Sequence, residues 1–254
     1  MKQKNVIKNI VMLYGMSIAK IIFPLLTLPY LTRVLSVESY GVVSYVKAVM
    51  QYMQIVVDFG FMLSGTRDIV NAKNDRKKLE KEVGDILLAR IILAVAAFIA
   101  LLGMIAMIPL LRVNAGYTLL AFVTVFLSVF LLDYFFRGIE KMQVITLRFV
   151  TMRGIATAMT FVFVHSDKDI LFVPLLDAIG SLVAVILVFV ELKKENIAIH
   201  FSGVKAALEK LKASFVCFAS DMATTAFGAL NTLLIGAFLP ATDVAYWSVC
   251  MQLI

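Results

Sequence analysis

The chain has 254 residues, 61% of them hydrophobic, with a mean hydropathy of +0.94 and a net charge of +7. Soluble domains are nearer half apolar, so composition argues against a water-soluble fold; the cations cluster in alternate loops, as membrane orientation requires, and do not call for nucleic acid. Cys217 and Cys250 lie in apolar runs without metal-ligand spacing and His165 and His200 fall on opposite membrane faces, so no metal site or disulfide is expected.

A membrane span needs roughly 20 mostly apolar residues. The first run, 7–32, is too long for a signal-peptide core and no small-residue cleavage site follows it, so it reads as a retained helix. Further spans are predicted over 39–64, 85–111, 116–136, 145–165, 169–191 and 213–239. The last piece, 242–254, amounts to roughly 20 Å of helix, against a hydrocarbon core roughly 30 Å thick. About seven complete helices and the start of an eighth are therefore expected, in a chain truncated relative to a working protein. The predicted fold class is all-α: a polytopic helical membrane protein with a six-helix N-terminal lobe over 1–192. A cytoplasmic connection follows over 193–212, and the start of a second lobe over 213–254.

Lys2, Lys4 and Lys8 precede the first span, and Arg67, Lys73, Arg76, Lys77, Lys78 and Lys81 follow the second. Arg137, Lys141 and Arg148 follow the fourth, and Lys193, Lys194, Lys205, Lys210 and Lys212 the sixth. The intervening loops hold only Arg33, Arg112 and Lys168. This alternation predicts a cytoplasmic N-terminus. The segments Asp68–Asp85 and Gly203–Lys212 read as short surface helices that contact lipid headgroups. A short internal repeat relates Leu35-Ser36-Val37-Glu38-Ser39 to Leu239-Pro240-Ala241-Thr242-Asp243, with Ser44 and Ser248 at the same offset. The seventh helix thus resembles a second copy of the first, six helices later, as in transporters built from repeats around a substrate site.

Charges at bilayer depth are costly and persist where they face a bundle interior or a watery cavity. Tyr40, Ser44, Lys47, Gln51, Gln54 and Asp58 are spaced by four, three, four, three and four, which gathers them into an arc of roughly 80° on one helix. Such a stripe either lines an aqueous pathway or forms buried interhelical hydrogen bonds. Lys20 lies halfway along the first span on the face of Ser17 and Thr27, and Pro24 and Pro29 suggest a kink there. Ser214, Asp221, Thr224, Thr225, Gly228, Asn231 and Thr232 share an arc of about 120° on the seventh span. Arg153 aligns with Thr157 and Thr160, and Asp177 with Ser181. Asp133 and Arg137, one turn apart, are expected to pair locally, and Arg90 to snorkel from the start of the third span. The predicted cavity residues are Lys20, Lys47, Gln51, Gln54, Asp58, Arg153, Asp221 and Asn231. Cations in a low-dielectric wall attract an anion, phosphate foremost, while Asp58, Asp177 and Asp221 are candidates to partner those cations or to couple to a cation gradient.

Two segments carry a family resemblance. One is Pro24-Leu25-Leu26-Thr27-Leu28-Pro29-Tyr30-Leu31-Thr32-Arg33-Val34-Leu35 with Glu38-Ser39-Tyr40-Gly41; the other is Asp58-Phe59-Gly60-Phe61 with Ser64-Gly65-Thr66-Arg67-Asp68-Ile69. Both resemble the N-terminal signature of bacterial polysaccharide-biosynthesis flippases of the O-antigen type, in the multidrug/oligosaccharidyl-lipid/polysaccharide exporter superfamily. The resemblance covers about the first 70 residues and places Arg33 and Arg67 within signature segments. It implies about twelve helices in two lobes, and transport of an undecaprenyl-pyrophosphate-linked oligosaccharide across the bacterial inner membrane by alternating access. No cofactor is implied beyond coupling to a proton or sodium gradient. The implied partners are the polyprenyl-pyrophosphate-linked glycan, membrane lipids, a polysaccharide polymerase and glycosyltransferases. A drug or cation exporter of the same superfamily and a non-transporting scaffold are the alternatives. An enzyme is not expected, because the sequence shows no His-Asp dyad, paired-carboxylate loop motif or phosphate-cradling glycine loop.

Overall fold

A computed structural model describes the backbone of residues 2–253 and the side chains of 9–223 and 230–251. Among the described residues the regular structure is all helical. The first helix, α1 (Lys2–Val34), is followed by α2 (Val37–Asp58), α3 (Ser64–Ala72), α4 (Arg76–Met107), α5 (Pro109–Val113) and α6 (Ala115–Ser128). A 3₁₀ turn at Val129–Leu131 leads to α7 (Asp133–Gly138), α8 (Met142–Phe163), α9 (Phe172–Lys194), α10 (Val204–Phe238) and α11 (Ala241–Leu253).

Among the described residues, five segments are long and apolar enough to cross a membrane: Asn9–Val34, Arg76–Met107, Ala115–Gly138, Met142–Phe163 and Asp167–Lys194. Their outward faces expose large aliphatic side chains such as Ile21, Ile99 and Ile186. With no water to satisfy backbone groups in lipid, helices are the expected solution, and the chain is an all-α polytopic membrane protein. The 22-residue α2 has the length of a span but carries Glu38, Lys47 and Asp58.

Several boundaries differ from the sequence reading, among them the predicted surface helix 68–85, which divides between α3 and the start of α4. The predicted span 39–64 breaks after Asp58, where Phe59 (φ 43°) and Gly60 (φ 70°) take left-handed backbone and Phe61 N–H bonds to the Asp58 carbonyl at 2.8 Å. Gly60 is required twice over: its φ disfavours any side chain, and a Cβ there would lie 2.5 Å from Phe218 N on α10. The predicted span 116–136 is interrupted at 129–132, with Leu132 at φ 50°. The predicted surface helix 203–212 runs straight into the seventh span as one 35-residue helix. Both prolines of α1 lie inside one continuous helix, with the Thr27 hydroxyl bonded to the Phe23 carbonyl at 3.0 Å.

The helix α2 is the central element. It packs on α4, α6, α10 and α11, and touches α1 lightly. Tyr45, Val49 and Val57 on α2 are essentially inaccessible. The two stretches of the internal repeat make matching connections, each leaving two residues between helices: Leu35-Ser36 before α2 and Leu239-Pro240 before α11. The helices that follow them pack together so closely that a Cβ at Gly41 would sit 1.8 Å from the Ala241 carbonyl oxygen.

Candidate substrate cavity

The polar stripe on α2 divides into two parts. Its first half, Tyr40, Ser44, Lys47 and Gln51, lines a cavity of about 280 Å³. Thr27, Leu28 and Leu31 of α1, Thr232 of α10 and Ser248 of α11 complete much of the wall. Four helices therefore bring hydroxyl, amide and ammonium groups to one space. Lys47 is exposed to this space, and no carboxylate of the described residues lies within ion-pair distance of its ammonium. It feels the charges of Arg153 and Asp177 electrostatically.

The second half turns into the bundle. Gln54 Nε2 donates to Asp58 Oδ2 and to Ser128 Oγ, both at 2.9 Å. Asp58 Oδ1 receives Arg90 Nη2 at 2.6 Å, and Arg90 Nη1 donates to the Val129 carbonyl at 3.1 Å. The interrupted end of α6 thus supplies an acceptor that a continuous helix would have used internally. Arg90 does not snorkel: its side chain is 6% exposed, because a carboxylate and a free carbonyl meet it inside the bundle. Asp133 does not pair with Arg137. It receives Arg148 Nη2 at 2.5 Å, while Arg148 Nη1 reaches the Leu131 carbonyl at 2.7 Å. The helix break at 129–132 presents backbone and carboxylate oxygens together, a better match to a guanidinium fork than a lone side chain one turn away.

Arg153 and Asp177 form a half-exposed pair at 3.0 Å between α8 and α9. Lys20 is exposed on α1, 5.9 Å above the Phe149 ring, and is outside the wall of the α2 cavity. Asn231 is exposed on α10 beside the lining residue Thr232, and Asp221 is partly buried lower on the same helix. Thr224, Thr225 and Gly228 of the predicted stripe lie outside the described side chains. Arg33 is exposed at the end of α1, and Arg67 is exposed on α3, 4.0 Å from Asp68. The structure therefore gathers Lys47 and Gln51 in one cavity and Gln54 and Asp58 in a partly buried network around Arg90. Sequence reasoning missed Arg148 and Ser128 as members of the interior networks. The available signal for Arg90 was a lone arginine inside an apolar run, and for Ser128 the position where the α6 pattern falters. Among the described residues no group of three His, Cys, Asp or Glu side chains is gathered as a metal site would require.

A family model described as "Polysaccharide biosynthesis protein" matches residues 6–254, nearly the whole chain. The chain belongs to the polysaccharide biosynthesis protein family. Two curated relatives carry the description "Putative O-antigen transporter". The one from Shigella dysenteriae is 24% identical over 233 residues, covering 91% of this chain and 58% of its own length. The one from Escherichia coli (strain K12) is 29% identical over 178 residues, covering 70% of this chain and 43% of its own length. The chain thus spans about half the length of these relatives. No solved structure matches it.

Proposed function

We propose that this family member takes part in moving a polyprenyl-pyrophosphate-linked oligosaccharide across the bacterial cytoplasmic membrane, from the cytoplasmic leaflet to the outer one. The observation that carries this reading is Lys47. Three buried or half-buried arginines, Arg90, Arg148 and Arg153, each have a carboxylate at 2.5–3.0 Å. Lys47 has none within ion-pair distance among the described residues, and it stands on the wall of the polar cavity. A cation on a low-dielectric wall with no carboxylate at contact distance favours a bound anion. Phosphate oxygens suit the three donors of an ammonium. Tyr40, Ser44, Gln51, Thr232 and Ser248 offer neutral hydrogen bonds of the kind sugar hydroxyls exchange readily.

The mechanism needs no covalent chemistry. The pyrophosphate binds at Lys47, the glycan occupies the hydrated space, and the polyprenyl tail stays in lipid. Six helices, α1, α2, α4, α6, α8 and α9, act as one lobe, and α10 and α11 begin a second. In this reading the N-terminus is cytoplasmic, which the positive loops support, and rocking of the two units changes which face the cavity sees. A proton or sodium gradient drives the cycle, and polymerase and glycosyltransferases act on the same glycan.

The test is complementation of a strain lacking its own flippase. The complete gene and its Lys47→Ala version are expressed at equal membrane levels, with the matching sugar precursor supplied. Restored surface polysaccharide with the first and a loss of at least tenfold with the second supports the reading. Restoration by both removes Lys47 from the site. Restoration by neither, with the precursor accumulating, refutes glycan translocation.

A further inference from the structure

At the basic end of the bundle, the α2–α3 segment and α10 meet in an antiparallel seam whose rungs are four residues apart on each strand. The deepest rung sets Gly60 against Phe218, with the Phe59 and Phe218 rings stacked at 4.4 Å. One turn nearer the surface, the Ser64 and Ser214 hydroxyls hydrogen-bond at 2.7 Å, and both residues are buried. One turn further, Lys210 Nζ meets Asp68 Oδ2 at 2.8 Å and pairs also with Glu82 of α4. The seam thus grades from apolar contact through hydroxyl pair to ion pair as it approaches water.

This composition differs from the interior pairs. Arg90 and Arg148 add backbone carbonyls of a broken helix to their carboxylates, so separating them strands several groups at once. Each polar rung of the seam is instead made by side chains that water can satisfy when they part. A permanent contact at membrane depth is ordinarily built from small or apolar residues. A contact with hydrated alternatives suits reversible separation.

Two further features give the seam an anchor and a pivot. The connection from α9 to α10 is laid along α4 as an extended strap. Ala198 N–H donates to Glu80 Oε1 at 3.1 Å, and Ser202 N–H donates to the buried Asp85 Oδ1 at 2.8 Å. The strap lies so close that a Cβ at Gly84 would sit 2.0 Å from the His200 carbonyl oxygen. Immediately after it, Gly203 adopts φ 112° and α10 begins. The strap is thus held by α4 on one side of a glycine, and α10 starts on the other.

We propose that the seam is the cytoplasmic gate of the transport path, closed here, and that α10 swings about Gly203 to part Lys210 from Asp68 and Glu82, then Ser64 from Ser214, admitting the lipid-linked glycan. This rests on the transport reading above. The cavity wall fits a closed seam: its residues Leu31, Tyr40 and Thr232 lie toward the opposite ends of α1, α2 and α10.

The experiment locks the middle rung. Hydroxyls 2.7 Å apart bring the two Cβ atoms within disulfide reach. Ser64→Cys and Ser214→Cys are combined with Cys217→Ser and Cys250→Ala in the complete gene product. Inside-out vesicles charged with lipid-linked precursor are oxidised with copper phenanthroline, and translocated precursor is read as the fraction protected from membrane-impermeant periodate. The expected result is near-complete cross-linking, at least a tenfold drop in translocation, and recovery on reduction. Complete cross-linking with unchanged translocation overturns the gate and leaves the transport reading standing. Failure of the cross-link to form also overturns it. Absence of translocation by the unmodified protein overturns the transport reading and the gate together. Where the reduced pair is itself inactive, a single Ser214→Cys variant is labelled from the cytoplasmic face with an impermeant maleimide. A rise of at least fivefold on adding Lys210→Ala supports the gate, and unchanged labelling overturns it.

Discussion

Removing Asp58 is expected to harm the fold more than removing its partner Arg90. The two sides of the pair sit differently: the Arg90 side chain is 6% exposed and the Asp58 side chain 43%. Asp58→Ala leaves a buried guanidinium with the Val129 carbonyl as its acceptor. Stranding one member of a buried pair costs roughly 3–5 kcal/mol, and the opening beside Asp58 lets water offset part of this, so about 3 kcal/mol is expected. Arg90→Met removes the buried charge. Asp58 keeps the Gln54 amide at 2.9 Å and its access to water, so about 1 kcal/mol is lost. For a chain of this size 1 kcal/mol moves the unfolding midpoint by about 2–4 °C. Thermal unfolding in detergent, followed by far-ultraviolet circular dichroism, should drop by about 6–12 °C for Asp58→Ala and about 2–4 °C for Arg90→Met. The double variant should match Arg90→Met, a coupling of about 3 kcal/mol. The reasoning fails if Arg90→Met is the more damaging single change, or if the two losses add.

Gly41→Ala forces a methyl group against the Ala241 carbonyl; overpacking of about 1–3 kcal/mol should lower the unfolding midpoint, and a second change, Ala241→Gly, should not restore it because the clash is with backbone. Asp85→Ala removes the acceptor for Ser202 N–H, and amide exchange at Ser202 and trypsin cleavage at Lys205 should both accelerate while the midpoint falls by less than for Asp58→Ala. Lys141, between α7 and α8, is held above the usual lysine range by its hydrogen bond to Glu195 and the nearby Glu191. Its contribution is fully present below the unfolded lysine value of about 10.4 and is lost as pH rises through the higher folded value. Raising pH from about 7 to about 9 should therefore leave cleavage at Lys193–Lys194 unchanged, whereas Lys141→Met should accelerate it at both.

The spans were legible because lipid demands long apolar helices, and the α2 stripe because helical spacing maps onto one face. What spacing does not encode is which neighbour that face meets. Tyr40 to Gln51 look into a cavity while Gln54 and Asp58, on the same arc, meet Ser128 and Arg90 from α6 and α4. The choice is made by bundle order, which no single helix carries. The helix breaks were hidden for a related reason. Phe59-Gly60 and Val129–Leu132 sit inside apolar runs; the Gly60 carbonyl is met locally by Leu63 and Ser64 N–H, whereas the Val129 and Leu131 carbonyls are met by Arg90 and Arg148, which arrive from elsewhere. Asp133 and Arg137 satisfied the one-turn rule and still did not pair, since the rule knows nothing of a fork reaching back from α8. The break after Asp58 had one visible cue, the glycine of the signature segment, whose second role against Phe218 needed the tertiary structure.

The order in which the charges leave the ribosome adds a consequence for biogenesis. Asp58 is synthesised 32 residues before Arg90, and Asp133 15 residues before Arg148. A nascent helix entering the bilayer with an orphan carboxylate has a cheap refuge, because the acid takes up a proton until its partner emerges. A guanidinium has no such refuge, since it stays charged. Both deeply buried arginines are therefore born after the acid that receives them. The pair written the other way round, Arg153 before Asp177, is the half-exposed one, where the early cation keeps contact with a wetter surrounding while it waits.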